Sequence, residues 1–97
     1  MIKLDLHTHS IISPDGGLTE AHYKRVLTQG ALDCLAITDH NDITFAQMMW
    51  QRFGKKIIVG EEITTSEGEM IGLFLKNGYL LSFNKLSFHS FIVVILI

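Results

Sequence analysis

The chain has 97 residues and a formal net charge of −2, which is enough for one small domain and too short for two ordinary ones. Its basic residues are scattered, so charge gives no support for binding to a nucleic-acid backbone. The single cysteine, Cys34, excludes an internal disulfide, and the charged Lys3 and Asp5 are unlike the apolar segment of a secretory signal. We therefore expect one cytoplasmic domain, or part of one.

The first predicted strand covers residues 2–9 and carries a His-x-His pair. Alternate side chains of a strand share a face, so His7 and His9 lie together with Cα atoms about 7 Å apart, and Asp5 falls on the same face. Two imidazoles placed in this way can bind one metal ion, although a pair of histidines on a solvated strand explains the pattern equally well. The opposite face is apolar and consists of Ile2, Leu4 and Leu6.

A loop and a helix follow this strand. Residues 10–17 contain the only proline of the chain and a pair of glycines, which is typical of a loop. Thr19 is the predicted N-cap of a helix that ends near Gln29, and Gly30 supplies the stop. His22 lies within this helix, and we assign it to the helix surface rather than to a metal site.

The second predicted strand, residues 34–38, is an apolar run of the kind found in a strand buried on both faces of a parallel sheet. It changes abruptly to polar residues, which places Asp39 and His40 at its carboxyl end. A second helix is predicted over residues 44–52, where apolar side chains recur with helical spacing.

A third strand is predicted over residues 56–63, followed by a turn and by a strand over residues 70–75 that pairs back as a hairpin. The β-α-β-α-β-β pattern favours an α/β fold with a parallel sheet, in which ligands bind at the carboxyl ends of strands. Metal-type side chains lie at three of these ends, namely His7, His9, His40 and Glu62. The neighbouring Glu61 is expected to face away from them, because adjacent strand residues point to opposite faces.

Four short motifs succeed one another in the first two thirds of the chain. They are His7-Thr8-His9-Ser10, Pro14-Asp15-Gly16-Gly17, Ala36-Ile37-Thr38-Asp39-His40 and Gly60-Glu61-Glu62-Ile63-Thr64. In order and spacing they resemble the first motifs of the PHP family, named for polymerase and histidinol phosphatase. Members of that family are metal-dependent phosphoesterases built on a distorted seven-stranded β/α barrel. The resemblance covers about residues 1–76 and therefore implies the N-terminal part of such a barrel, truncated.

The resemblance also implies a set of metal ligands. His7 and His9 correspond to ligands of a first metal ion, and Glu62 corresponds to the carboxylate that bridges it to a second. His40, together with Asp15, corresponds to part of a third metal position.

Three further acidic residues have open roles. Glu69 stands where many family members have a histidine, so it either supplies an oxygen ligand that favours harder metals such as Mn²⁺ or has no metal role. Asp39 is expected to orient a histidine without touching the metal. Asp5 is expected either to do the same for His7 or His9 or to make a hydrogen bond at the edge of the core.

By the same resemblance, the expected chemistry is hydrolysis of phosphate mono- or diesters by metal-activated water, with nucleotides and oligonucleotides among the candidate substrates. The family site holds up to three divalent ions. Neutral imidazole suits Zn, Fe and Mn, a carboxylate can span two ions, and paired ions can clamp the attacking and leaving oxygens of a phosphate ester.

The resemblance ends near Lys76, whereas the family domain continues and supplies further histidine and aspartate ligands. Residues 77–97 instead form a divergent tail with no acidic residue and an apolar end. We weigh three explanations: an unrelated tail from a frameshift or early stop, which we favour, a buried edge strand, or a membrane contact. The apolar run over residues 91–97 is far below the roughly 20 residues that span a bilayer, so we expect no membrane partner. His89 is not expected to replace a missing ligand.

Four strands cannot close a barrel, so an open sheet edge is expected, and a homo-oligomer would cover it. Three functions follow from these observations. The first is a PHP-type phosphoesterase, incomplete in this chain. The second is a metal-binding remnant without catalysis, and the third is a structural module of the kind that PHP domains form in DNA polymerases.

Overall fold

The computed structural model describes residues 1–66, 68–75 and, as backbone alone, 93–96. These residues form a single five-stranded sheet with two helices. The strands are β1 (Leu4–Thr8), β2 (Cys34–His40), β3 (Ile57–Thr65), β4 (Gly68–Leu73) and β5 (Val93–Leu96), in that spatial order; the helices are α1 (Glu20–Thr28) and α2 (Thr44–Phe53), and a short 3₁₀ turn covers Gly54–Lys56. The α/β class predicted from the sequence is confirmed.

The first three strands are parallel and the last two reverse direction. β1 pairs with β2 and β2 with β3 in parallel, whereas β3 with β4 and β4 with β5 are antiparallel. The helices α1 and α2 are the two crossover connections between parallel strands. The predicted hairpin after the third strand is confirmed. β2 is longer than its apolar run, since Asp39 and His40 still pair with β3 at Glu61 and Glu62.

The two helices pack on one face of the sheet and bury the larger part of the core. Side chains of α1 and α2, odd-numbered apolar residues of β2 and β3, the residue before α2 and a residue after β4 form this cluster: Tyr23, Leu27, Leu35, Ile37, Ile43, Phe45, Ala46, Met49, Ile57, Val59 and Leu75. On the other face a smaller cluster consists of Ala36, Ile58, Ile71 and Leu73. Strand alternation therefore divides the sheet into a helix-covered face and the face that carries His40 and Glu62.

The predicted start of α1 is confirmed, with one addition. Thr19 is the N-cap, its Oγ1 accepts a hydrogen bond from the backbone N–H of His22, and the His22 ring accepts one from the backbone N–H of Thr19. This reciprocal capping box satisfies two backbone donors that the helix leaves free. His22 is exposed, as predicted, and Gly30 follows the helix with φ of 75°, a conformation that favours glycine.

The apolar side chains of β1 are not covered, and the predicted division of its faces is wrong. Leu4 pairs with Cys34 and Asp5 with Leu35, so Leu4 lies on the face of His40 and Glu62 and Asp5 on the helix-covered face. Ile2, Leu4 and Leu6 are 74%, 51% and 36% exposed. In the part of the chain that the structure describes, β1 pairs with β2 alone and has a free outer edge. The register of β1 shifts between Asp5 and Thr8, and such an irregularity interrupts the alternation from which the faces were predicted.

Part of the tail joins the sheet. Val93–Leu96 pairs antiparallel with Met70–Leu73 of β4, which agrees with the edge-strand explanation at the level of the backbone. Residues 76–92 and 97, including His89 and the expected domain boundary after residue 76, lie outside the described residues. Among the residues that are described, no helix is long and apolar enough to cross a membrane.

Candidate metal centre

Two strand ends and two neighbouring strands bring the predicted ligands to one side of the sheet. His7 and His9 come from the end of β1, His40 ends β2, and Glu62 lies beside His40 on β3. Glu69 comes from β4, two residues from Ile71, which pairs with Glu62. Residues two apart on a strand share a face, so Glu69 lies on the same side as Glu62.

The tightest group consists of His7, His9 and Glu62. The Nε2 atom of His7 lies 2.6 Å from Oε1 of Glu62, and the Nε2 atom of His9 lies 3.1 Å from the same oxygen. The two Nε2 atoms are 3.2 Å apart. Glu62 is buried, while 44% of the His7 side chain is exposed. Two imidazole nitrogens and a carboxylate oxygen that converge on one point form a donor set suited to a divalent cation.

A second group forms around Asp15. Its Oδ1 lies 2.9 Å from Nδ1 of His9, and its Oδ2 lies 3.0 Å from Nε2 of His40. His9 thus directs one ring nitrogen to Asp15 and the other to Glu62. A carboxylate on the far nitrogen of a metal-binding histidine fixes the tautomer and the ring orientation. Asp15 can therefore either bind a metal itself or orient His9.

A third group contains His40, Glu62 and Glu69, whose donor atoms lie within 4.8 Å of one another. The Nδ1 atom of His40 is 3.2 Å from Oε2 of Glu62. The two oxygens of Glu62 thus face different groups, since Oε1 faces His7 and His9. These His and Glu groups can hold metal ions, and Glu69 lies where it can take part.

The charges of the centre shift several pKa values. Burial raises the pKa of Glu62, but hydrogen bonds from Glu69 and His7 and the charge of His40 outweigh it, so the pKa falls below its usual value. The hydrogen bond with Glu62 and the charge of that carboxylate raise the pKa of Glu69. The hydrogen bond to His40 lowers the pKa of Asp15. Burial lowers the pKa of His40, but Asp15 and Glu62 raise it more. The lowered pKa values of Asp15 and Glu62 favour their anionic forms, which attract cations.

The His7 side of the centre opens into a cavity of about 470 Å³. Its lining includes two aspartates and two histidines and, among the described residues, no lysine or arginine. The lining residues are Asp5, His7, Thr8, His9, Asp15, Gly16, Gly17 and Leu18. The cavity therefore has room for a small ligand beside His7 and His9.

Asp39 has a different role from the one predicted. Its buried carboxylate accepts hydrogen bonds from the backbone N–H and the hydroxyl of Ser10, at 2.7 Å and 2.6 Å, and from the hydroxyl of Ser13, at 2.7 Å. The prediction that it orients a histidine ring is corrected, because its side chain points to the face opposite His40. Ser10 and Ser13 are buried functional candidates that the sequence reasoning missed; their signal was a pair of serines flanking two apolar residues directly after the His-x-His pair.

Two other acidic residues can now be placed. Asp5 accepts a hydrogen bond from the backbone N–H of His7 at 3.1 Å, so it contacts the backbone of a predicted ligand rather than a ring. Glu61 is fully buried on the helix-covered face, paired with Asp39. The prediction that Glu61 faces away from the centre is confirmed.

The glycine before the two glutamates has a packing role. A Cβ on Gly60 would lie 2.8 Å from the backbone oxygen of Gly72 and 2.8 Å from Cγ2 of Thr38. Side chains essentially never approach this closely, so β2, β3 and β4 keep their spacing because residue 60 has no side chain. The Gly-x-Glu pattern therefore sets the position of Glu62 between His40 and Glu69.

Comparison with known proteins gives relatives without an assigned activity. The chain is 34% identical over 87 residues to the uncharacterized protein MJ1587 of Methanocaldococcus jannaschii, which covers 76% of this chain and 51% of that protein. It is 39% identical over 79 residues to the uncharacterized protein MJ0417 of the same organism, covering 76% of this chain and 27% of that protein. The chain thus spans about half the length of the first relative and about a quarter of the second. No protein-family model matches it.

Proposed function

We propose that this chain is the N-terminal part of a PHP-type metal-dependent phosphoesterase, folded as part of a distorted seven-stranded β/α barrel. The observation that carries the proposal is the convergence of His7 and His9, at the carboxyl end of β1, with Glu62 of β3, which pairs with the last residue of β2. Parallel α/β sheets bind their ligands at this edge. The ordered motifs of the sequence support the same assignment.

The donor set fits divalent metal ions of the Zn, Mn and Fe type. Glu62 presents one oxygen to His7 and His9 and the other to His40, which suits a carboxylate shared by two ions. The three groups share His9, His40 and Glu62. Up to three ions would therefore be held by one connected set of residues. Such ions, when bound, polarise a phosphate ester and acidify water.

The residues of the chain then have distinct tasks. Glu62, being buried, holds a fixed position, while Asp15 contacts His9 and His40 and limits the rotation of both rings. His7 borders the cavity, so a phosphate mono- or diester, including a nucleotide or an oligonucleotide, can approach from that side. Because Glu62 is buried, electrostatic interactions at its carboxylate are screened less than at the surface.

A metal-binding remnant without catalysis is the second candidate. One observation favours it: no described lysine or arginine lines the cavity. Phosphate esters are usually held by such cationic side chains as well as by metals.

Hydrolysis of a generic phosphodiester, bis(p-nitrophenyl) phosphate, separates the two candidates. The full 97-residue chain is assayed with Mn²⁺, with Zn²⁺ and with chelator, beside the double variant His7→Ala, Glu62→Gln. His22→Ala is the matched control, since it removes an exposed histidine from α1. Metal-dependent turnover that the double variant lacks and the control keeps supports the phosphoesterase. Metal binding without turnover in the intact chain indicates the remnant, and turnover that survives in the double variant rejects the site.

We also propose that a second copy of the chain covers the outer edge of β1. A free strand edge templates pairing with another chain, and Leu4 and Leu6 are exposed beside it. The variant Leu4→Asp should then lower the molar mass measured by sedimentation. Trp50→Asp, which changes an equally exposed residue of α2, should leave it unchanged. A monomeric intact chain would remove this proposal.

A further inference from the structure

The loop that follows β1 is hydrogen-bonded to one buried carboxylate. Asp39 is 1% exposed and accepts three hydrogen bonds, two from Ser10 and one from Ser13. Hydrogen bonds to an ionised acceptor are roughly twice as strong as neutral ones. A buried donor left without its acceptor is destabilising. The loop is therefore tied firmly to the end of β2.

The same hydroxyls extend the network in both directions. The Oγ of Ser13 accepts a hydrogen bond from the backbone N–H of His40 at 3.0 Å, and the Oγ of Ser10 accepts one from Ile12 at 3.1 Å. Both serines thus donate to Asp39 and accept from the backbone. The network fixes the backbone of His40 and the path of the loop at the same time.

From Ser13 the loop turns back toward His9. The backbone N–H of Gly16 donates to the backbone oxygen of Ser13 at 3.0 Å. A Cβ at Gly16 would lie 2.1 Å from the backbone oxygen of Ser10 and 2.9 Å from Cβ of His9. The chain therefore passes directly against His9, and the residue before this contact is Asp15. Its carboxylate ends between the rings of His9 and His40.

We propose that Asp39 is a positioning residue for the metal centre: through Ser10 and Ser13 it folds the loop that sets Asp15 between His9 and His40. The proposal rests on the proposed function in that these two histidines hold metal. Asp39 touches neither ring and acts through the two serines. One strand, β2, thus provides a ligand on one face and the anchor of the neighbouring ligand loop on the other.

The ring nitrogens of the histidines report this positioning without metal. Long-range ¹H–¹⁵N spectra of the metal-free chain are compared for Asp39→Asn, Ser13→Ala and Asp15→Asn. An amide has one acceptor oxygen and cannot accept all three hydrogen bonds. Ser13→Ala removes the hydrogen bond to Asp39 and, with it, the acceptor of the His40 backbone N–H. Glu61→Gln is the matched control, because it changes a buried carboxylate paired with Asp39 on β3.

We expect Asp39→Asn and Ser13→Ala to move the His9 Nδ1 and His40 Nε2 signals toward their positions in Asp15→Asn, and Glu61→Gln to leave them at the wild-type positions. A merely structural role would lower the melting temperature without this selective shift. Wild-type signals in folded Asp39→Asn and Ser13→Ala would overturn the proposal. If Asp39→Asn does not fold, Ser13→Ala decides, since it removes one hydroxyl from a loop.

Metal titration of the same variants separates this proposal from the function on which it rests. Orienting groups behind metal ligands typically contribute about 10–100-fold in affinity, so Asp39→Asn should weaken Mn²⁺ binding by that factor and Glu61→Gln should not. An intact chain that binds neither Mn²⁺ nor Zn²⁺ refutes the metal centre, while the ring signals still decide the role of Asp39. Unchanged affinity in both Asp39→Asn and Ser13→Ala overturns the positioning role alone.

Discussion

The Nε2 atom of His7 lies 2.6 Å from Oε1 of Glu62, although 55 residues separate the two in the sequence and β2 lies between their strands. Neighbouring strands are about 4.8 Å apart, so His7 must lean across the end of β2 to reach Glu62. The register of β1 against β2 shifts between Asp5 and Thr8. Such irregularities re-aim side chains, and this one turns the His-x-His pair toward Glu62.

The loop beside His9 has no room for a side chain at Gly16. We expect Gly16→Ala to lower the free energy of unfolding by about 1–3 kcal/mol, the usual cost of overpacking, and to weaken metal binding, because the added Cβ would meet the backbone of Ser10. Denaturant unfolding and metal titration measure the two effects. Gly17→Ala is the control, since nothing lies within 4 Å of a Cβ there. Equal behaviour of both variants would refute the close approach.

Glu69 should influence which metal is preferred. Replacing this carboxylate by an imidazole, Glu69→His, is expected to shift the preference from Mn²⁺ toward Zn²⁺, because carboxylate oxygens suit Mn²⁺ and imidazole suits Zn²⁺. Competition between the two ions gives the ratio of affinities. Glu20→His places a histidine on α1, away from the centre, and should leave the ratio unchanged. An unaltered ratio in Glu69→His would show that residue 69 has no metal role.

Removing the capping box of α1 should lower the stability of the fold without changing the affinity for metal. Thr19→Ala removes the N-cap hydrogen bond to His22 and should lower the free energy of unfolding by about 1 kcal/mol. Thr28→Ala, at the last residue of the same helix, should have a smaller effect, because alanine is the better helix former. Denaturant unfolding checks both. A change of metal affinity in Thr19→Ala would contradict the separation of cap and centre.

Burial raises the pKa of the Cys34 thiol. Because the thiolate is the reactive form, alkylation by iodoacetamide should be slower in the folded chain than in urea. The pH at which the alkylation rate reaches half its maximum should be higher in the folded chain than in urea. As Cys34 is the only cysteine, the modified mass reports this residue alone. Coincident midpoints for folded and unfolded chain would contradict the prediction.

The sequence was most informative where backbone geometry alone decides the outcome. His40 and Glu62 meet because parallel strands end at the same edge of the sheet, and β2 and β3 pair these two residues directly. Glu61 faces the other way because strand side chains alternate. Thr19 caps α1 because its hydroxyl accepts a hydrogen bond from the backbone N–H of His22, which has no acceptor within the helix. Each of these features depends on local geometry that residue spacing encodes.

The role of Asp39 depended on information that spacing does not contain. Whether a carboxylate at a strand end meets a histidine or a loop hydroxyl depends on the path of residues 10–16, and that path follows from Ser10, Ser13 and the close contact at Gly16. The exposure of Leu4 and Leu6 has a similar reason. The register shift between Asp5 and Thr8 changes the face that alternation assigns, and whether a side chain is buried depends on which element packs against it.

Metal stoichiometry tests the central claim most directly. The intact chain, His7→Ala, Glu62→Gln and His22→Ala are titrated with Mn²⁺ and Zn²⁺ by calorimetry, and the bound ions are counted by native mass spectrometry. We predict that the intact chain and His22→Ala bind at least one ion per chain, and that His7→Ala and Glu62→Gln bind none at comparable concentrations. Undiminished binding in both of these variants, or no binding by the intact chain, would contradict a metal centre built on His7, His9 and Glu62.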